Sequence, residues 1–151
     1  MSIFGEVVFV RARVLALLED DQNTSNVQVS LESAGYEVVV CSTFVAAIQI
    51  LQDHTFDLII SDVHLQNGGS VFDFLRWVKS HRASSQAKFV LFSFGPTPVA
   101  KYLSDSVWTS SRMLGAARYI AMDWFDPDLF CQQIAEVLPG SFNSAQDRIV
   151  I

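Results

Sequence analysis

The chain reads as a doubly wound parallel α/β sheet, and three observations predict it. Five short aliphatic runs recur along the 151 residues, each followed by a longer amphipathic run. The short runs are continuous in hydrophobicity, as strands covered on both faces must be. Carboxylates cluster where two of these runs end, and doubly wound sheets bind ligands at the carboxyl ends of their strands.

Residues 3–10 form an irregular or strand-like start, and residues 1–12 are set apart as an N-terminal extension. The first strand of the sheet is expected at 14–18 and the first helix at 23–33, with Gly35 as its C-terminal stop. A second strand follows at 36–41, and Thr43 can cap a helix over 43–52. The third strand spans 58–61, and Ser70 can cap a helix over 70–81. The fourth strand, 88–93, leads into a long connection over 94–105. Its Gly95-Pro96-Thr97-Pro98 reads as a proline-stiffened loop with room for a short extra turn. A helix over 104–114 and a fifth strand at 117–121 come next. Asp126-Pro127, a cap residue followed by proline at the first helical position, opens the last helix, 127–138. Residues 139–151 form a tail.

Half the residues are hydrophobic and 17% are charged, which excludes a disordered chain. A formal net charge of −6 disfavours direct nucleic-acid contact, which needs a basic surface. No apolar run reaches the roughly 18 to 20 residues that span a bilayer. The stretch 3–10 is broken by Gly5 and Glu6 and lacks the marks of a signal peptide, so no membrane association and a cytoplasmic location are expected. Cys41 and Cys131 are too few and too isolated for a disulfide framework or a CxxC metal site, and read as two buried thiols. Nothing in the chain matches a phosphate-binding glycine loop, a nucleophile elbow or a His/Cys metal cluster, so an enzyme is not expected.

Two acidic clusters carry most of the functional information. Glu19-Asp20-Asp21 follows Val14-Leu15-Ala16-Leu17-Leu18, and Asp62 follows Leu58-Ile59-Ile60-Ser61. Alone, the first is an ordinary solvated turn. Asp62 follows residues that require burial, so its carboxylate stands at a strand tip and faces the crevice. On neighbouring strands, such carboxylates would form a divalent-cation site of hard oxygen donors.

From residue 13 to residue 138 the chain resembles the receiver domain of two-component response regulators. The matching stretches are Val14-Leu15-Ala16-Leu17-Leu18-Glu19-Asp20-Asp21, Ala34-Gly35-Tyr36-Glu37-Val38 and Phe56-Asp57-Leu58-Ile59-Ile60-Ser61-Asp62. Phe92-Ser93 and Gly115-Ala116-Ala117-Arg118-Tyr119-Ile120 complete the set. The resemblance implies a flavodoxin-like, five-stranded parallel sheet of order 2-1-3-4-5 with helices on both faces. It implies that Asp62 accepts a phosphoryl group from a histidine kinase or phosphotransfer protein, as a covalent acyl phosphate. Glu19, Asp20, Asp62 and the backbone carbonyl of His64 would hold Mg²⁺. Ser93 takes the place of the family's switch hydroxyl, and Tyr119 that of the aromatic coupled to it. Their plainer readings are a strand-end serine and a packing tyrosine with its hydroxyl in water.

The chain also departs from the pattern. Receivers carry a lysine at the end of the fifth strand, followed by a cis proline. Tyr119-Ile120-Ala121-Met122-Asp123-Trp124-Phe125-Asp126-Pro127 contains no lysine, and either Met122 or Asp123 takes its position. A hydrogen bond to a charged group contributes about 1.5–3 kcal/mol, so its loss weakens a phosphorylated state. Asp123 in that place would add like charge and raise neighbouring carboxylate pKa values. Lys101, Arg112 and Arg118 are the substitutes at hand, none of them placed by sequence. After Asp62, His64-Leu65-Gln66-Asn67-Gly68-Gly69-Ser70 replaces the usual proline and Asp-Gly pair. Asp62-x-His64 is also similar to the Asp-x-His-x-x-Gly loop of cobalamin-binding domains. The glycine, however, is one residue late, and the loop follows the third strand where it should follow the first.

Two functions are therefore expected to compete. One is an atypical, stand-alone receiver in phosphorelay signalling. It would act on a downstream protein through the face of the fourth helix, fifth strand and fifth helix, which carries Trp108, Tyr119, Trp124 and Phe125. The other is a phosphorylation-independent pseudo-receiver, an adaptor that keeps the fold and lacks the switch.

Overall fold

In the computed structural model, which describes residues 8–9, 11–63, 69–95, 98–138 and 149–150, the aliphatic runs pair into one parallel sheet. In chain order the elements are β1 (Val8–Phe9), β2 (Arg13–Leu17), α1 (Asp21–Ser33), β3 (Glu37–Cys41), α2 (Phe44–Asp53) and β4 (Leu58–Asp62). There follow α3 (Val71–Ser80), β5 (Lys88–Phe94), α4 (Pro98–Met113), β6 (Arg118–Met122), α5 (Pro127–Val137) and β7 (Ile149–Val150). The sheet order is β3-β2-β4-β5-β6. Among these five strands that is second, first, third, fourth, fifth, the order expected. Residues 8–9 and 149–150 form a separate antiparallel ribbon in which Val8 faces Val150.

Side chains alternate between the two faces of the sheet, as the strand period of two requires. Even-numbered residues such as Val14, Ala16, Leu58, Ile60, Val90, Phe92 and Ile120 pack against Val27 and Leu31 of α1 and Phe130 and Ile134 of α5. Odd-numbered Leu15, Leu17, Ile59, Phe89 and Leu91 pack against Phe44 and Leu51 of α2 and Phe74, Leu75 and Val78 of α3. Burying a side chain of this size contributes about 1.5–3 kcal/mol, so two continuous cores hold the layers together. Cys41 and Cys131 are free and half-buried, less enclosed than expected. Burial pushes the Cys41 thiol up to about 12.

Caps set the helix starts. Thr43 accepts from the Ala46 N–H at 3.1 Å, Ser70 from Phe72 at 3.1 Å and Asp126 from Leu129 at 3.1 Å, as their positions in the sequence foretold. Helix α1 begins two residues earlier than expected because Asp20 is its cap. Helix α4 corrects the reading more strongly. It begins at Pro98, so most of the presumed loop is helical. A proline at the first helical position gives up no hydrogen bond. The first turns of α4 carry Tyr102 and Leu103 exposed, so no buried stripe marked them in the sequence.

Candidate functional site

The pairing of β2 with β3 and β4 decides where the acids meet. Leu17 is level with Cys41 on one side and Ser61 on the other. The chain then leaves β2 through Leu18-Glu19-Asp20, and Asp62 ends β4 one step beyond Ser61, so both acidic clusters emerge at one edge of the sheet. There Asp62 Oδ2 accepts a hydrogen bond from the Glu19 backbone N–H at 2.8 Å. Asp20 Oδ2 accepts from the Asn23 N–H at 2.8 Å, capping α1. Both carboxylates are thus oriented by backbone amides.

Asp62 is half-buried, and its carboxyl is pushed up from 3.8 to about 6. Burial is the main cause; the Glu19 amide pulls the value back down, while the charges of Glu19 and Asp20 raise it. Glu19 and Asp20 therefore act on Asp62 electrostatically. Among the described residues, no three His, Cys, Asp or Glu side chains are gathered closely enough to hold a metal ion as they stand. Their chemistry nonetheless fits a hard divalent cation, because every donor is oxygen and the negative charge of Glu19 and Asp20, which adds to the effect of burial on Asp62, is what such a cation would offset. His64, whose carbonyl was expected to complete the set, lies outside the described residues.

Ser93 is buried on β5, one residue past Phe92, the register partner of Asp62. Tyr119 is half-buried on β6 and lines an open crevice of about 570 Å³ with Ser104 and Trp108 of α4 and Gln133 of α5. Met122 is buried in the α1/α5 core, on the sheet face that Leu58, Ile60 and Asp62 share by alternation. Asp123 turns outward and pairs with Lys101 at 2.8 Å. Arg118 pairs with Glu136, and Arg112 lies 5.9 Å over the Trp108 ring. Among the described residues, none of these cations forms an ion pair with Asp62. Phe125 turns away from the α4–β6 side and packs on Phe130 and Phe92. Trp124 is 84% exposed.

The sequence reading passed over one residue of this corner. Asn23 was taken as an ordinary helix start, yet the residue is only 8% exposed. A polar residue four positions before Val27, at the head of the stripe Asn23, Val27, Leu31, was the available signal.

No family model matches the sequence, and none of the curated proteins is a significant match. Solved structures do match. A response regulator described as putative, from Chloroflexus aurantiacus J-10-fl, superimposes with a TM-score of 0.71 at 21% identity, covering 85% of this chain and 98% of its own. The chemotaxis response regulator CheY4 of Vibrio cholerae gives 0.70 at 23% identity, with 85% and 99% covered. The receiver domain of a sensor histidine kinase from Pseudomonas aeruginosa PAO1, solved with a magnesium ion in its active site cleft, gives 0.69 at 13% identity, with 85% and 98% covered. The chain has the fold of response regulator receiver domains. Among its described residues, no helix is long and apolar enough to cross a membrane.

Proposed function

We propose that this chain is an atypical receiver that accepts a phosphoryl group on Asp62 with the help of Mg²⁺. The observation that carries the reading is Asp62 itself. Its carboxylate ends the central strand β4, one oxygen is pinned by the Glu19 amide, and burial, helped by the charges of Glu19 and Asp20, raises its pKa. A carboxylate held in one orientation by a backbone amide is pre-positioned for attack. Glu19, Asp20, Asp62 and the His64 carbonyl are the groups that would hold Mg²⁺, which would offset the charge of the incoming phosphoryl group. Ser93 would donate to a phosphoryl oxygen, and Tyr119 would follow its movement. A cytoplasmic histidine kinase or phosphotransfer protein would be the donor, and a protein target would read the crevice between α4 and β6.

Incubation with Mg²⁺ and a small-molecule phosphodonor, followed by intact mass, tests this. A phosphoryl adduct on the wild type that is absent from Asp62→Asn is expected. Failure to form any adduct favours the second reading, a phosphorylation-independent adaptor. The burial of Met122 and the commitment of Asp123 to Lys101, with no lysine between residues 119 and 127, support that alternative.

A further inference from the structure

Among the described residues, Asn23 Oδ1 and Ser111 Oγ are buried without a hydrogen-bond partner. Ser111 lies in the last turn of α4. Asn23 lies in the first turn of α1, and its own backbone N–H is on Asp20. Asn23, Val27 and Leu31 are spaced four apart and form one buried stripe of the helix. Val27 and Leu31 join the core of Ile60, Phe92 and Met122. Because α1 runs back from the carboxyl edge of the sheet, Asn23 stands one turn closer to that edge than Val27. That is the level of the strand tips, on the face to which Asp62 belongs.

An apolar side chain would complete this stripe without cost, whereas a buried carbonyl lacking a donor destabilises the fold. The orphaned atom is an acceptor, in a corner where Asp20 and Asp62 already present acceptors. A ligand that brings donors together with positive charge would satisfy all of them. Hydrated Mg²⁺ does so, because it keeps several of its waters and their O–H groups donate. We infer that Asn23 is a positioning residue for hydrated Mg²⁺ in this crevice, its Oδ1 accepting a hydrogen bond from a water on the ion. The inference rests on the Mg²⁺ binding proposed above.

Calorimetric titration of the full chain with Mg²⁺, with urea unfolding in parallel, tests it. Asn23→Leu is expected to bind Mg²⁺ about tenfold more weakly and to resist urea better than the wild type. Asn23→Asp, which accepts but cannot donate, is expected to keep wild-type affinity or exceed it. Unchanged affinity in Asn23→Leu overturns the inference, as does a loss of affinity in Asn23→Asp, which would assign the work to the amide N–H. An Asn23→Leu chain that loses stability and affinity together also overturns it, since that is a packing defect. Should that variant fail to fold, Asn23→Ala is judged by the same affinity criterion. A wild type that takes up no Mg²⁺ overturns the proposed function as well, and so is distinguished from failure of this inference alone.

Discussion

Two acidic regions of the molecule are satisfied in opposite ways. At the tips of β2 and β4, Asp62 and Asp20 lean on backbone amides, those of Glu19 and Asn23. Along β6, Asp123 and Glu136 are met by Lys101 and Arg118. An amide holds a carboxylate in place without cancelling its charge, so the first corner stays attractive to a cation. The ion pairs of the second region close it electrostatically and tie α4 and α5 to the edge strand. Among the described residues, Lys101 and Arg118 are thus committed to the edge strand and its flanking helices and form no ion pair with Asp62.

The largest expected effect in the first corner is a gain in stability from removing its charge. Asp62 has a folded-state pKa of about 6 against an ordinary 3.8, so the folded state binds more protons than the unfolded state between those values. Stability is then complete below about pH 4 and falls as pH rises through 6. Asp62→Asn, which still accepts from Glu19, should be more stable than wild type at pH 7.5 by about 3 kcal/mol at about 1.4 kcal/mol per unit. That advantage should vanish at pH 3.5. Urea unfolding at both values, with a chelator present, checks the sign.

A cation can also be returned to the acidic corner. In Met122→Lys the carbon stem can remain in the core while the ammonium reaches out toward the edge. It should lower the Asp62 pKa and lengthen the life of a phosphoryl adduct by about tenfold or more, as befits a charged hydrogen bond. An NMR titration of Asp62 and a mass time course would record both. If neither moves, Met122 does not stand beside the acceptor.

Smaller effects separate the roles of single acids. Asp20→Ala removes the α1 cap and should cost about 1 kcal/mol, opposite in sign to the change at Asp62. Urea midpoints compared at pH 7.5 would show the two acids of one corner pulling in different directions. On the edge, Lys101 and Asp123 are each about half exposed, so Lys101→Met should change stability by no more than about 0.5 kcal/mol. A larger loss in thermal unfolding would mean that the pair fixes α4 rather than merely decorating it.

Much of the architecture was legible because the strands are buried on both faces, and burial writes itself into continuous aliphatic runs such as Leu58-Ile59-Ile60. The caps Thr43, Ser70 and Asp126 were legible because capping is local, reaching only two or three residues along the chain. Helix α4 was less so: Tyr102 and Leu103 near its start are large apolar residues left exposed, which gives no inward-facing period to read. The choice between Met122 and Asp123 was not legible at all. One residue of strand phase separates a buried side chain from an exposed one, and that phase belongs to the whole sheet.

By itself the sequence determined the five β/α units, the acids at two strand ends and the absence of a lysine between residues 119 and 127. These are properties of short segments, written in hydrophobic period and residue type. Only the tertiary structure decided that Glu19 gives its amide to Asp62, that Asp20 caps α1 and that Lys101 is committed to Asp123. It alone placed an unpartnered Asn23 carbonyl at the head of the α1 stripe. Each of these depends on which strands are neighbours and how α1 and α4 lie against them, and no local pattern encodes relations across tens of residues.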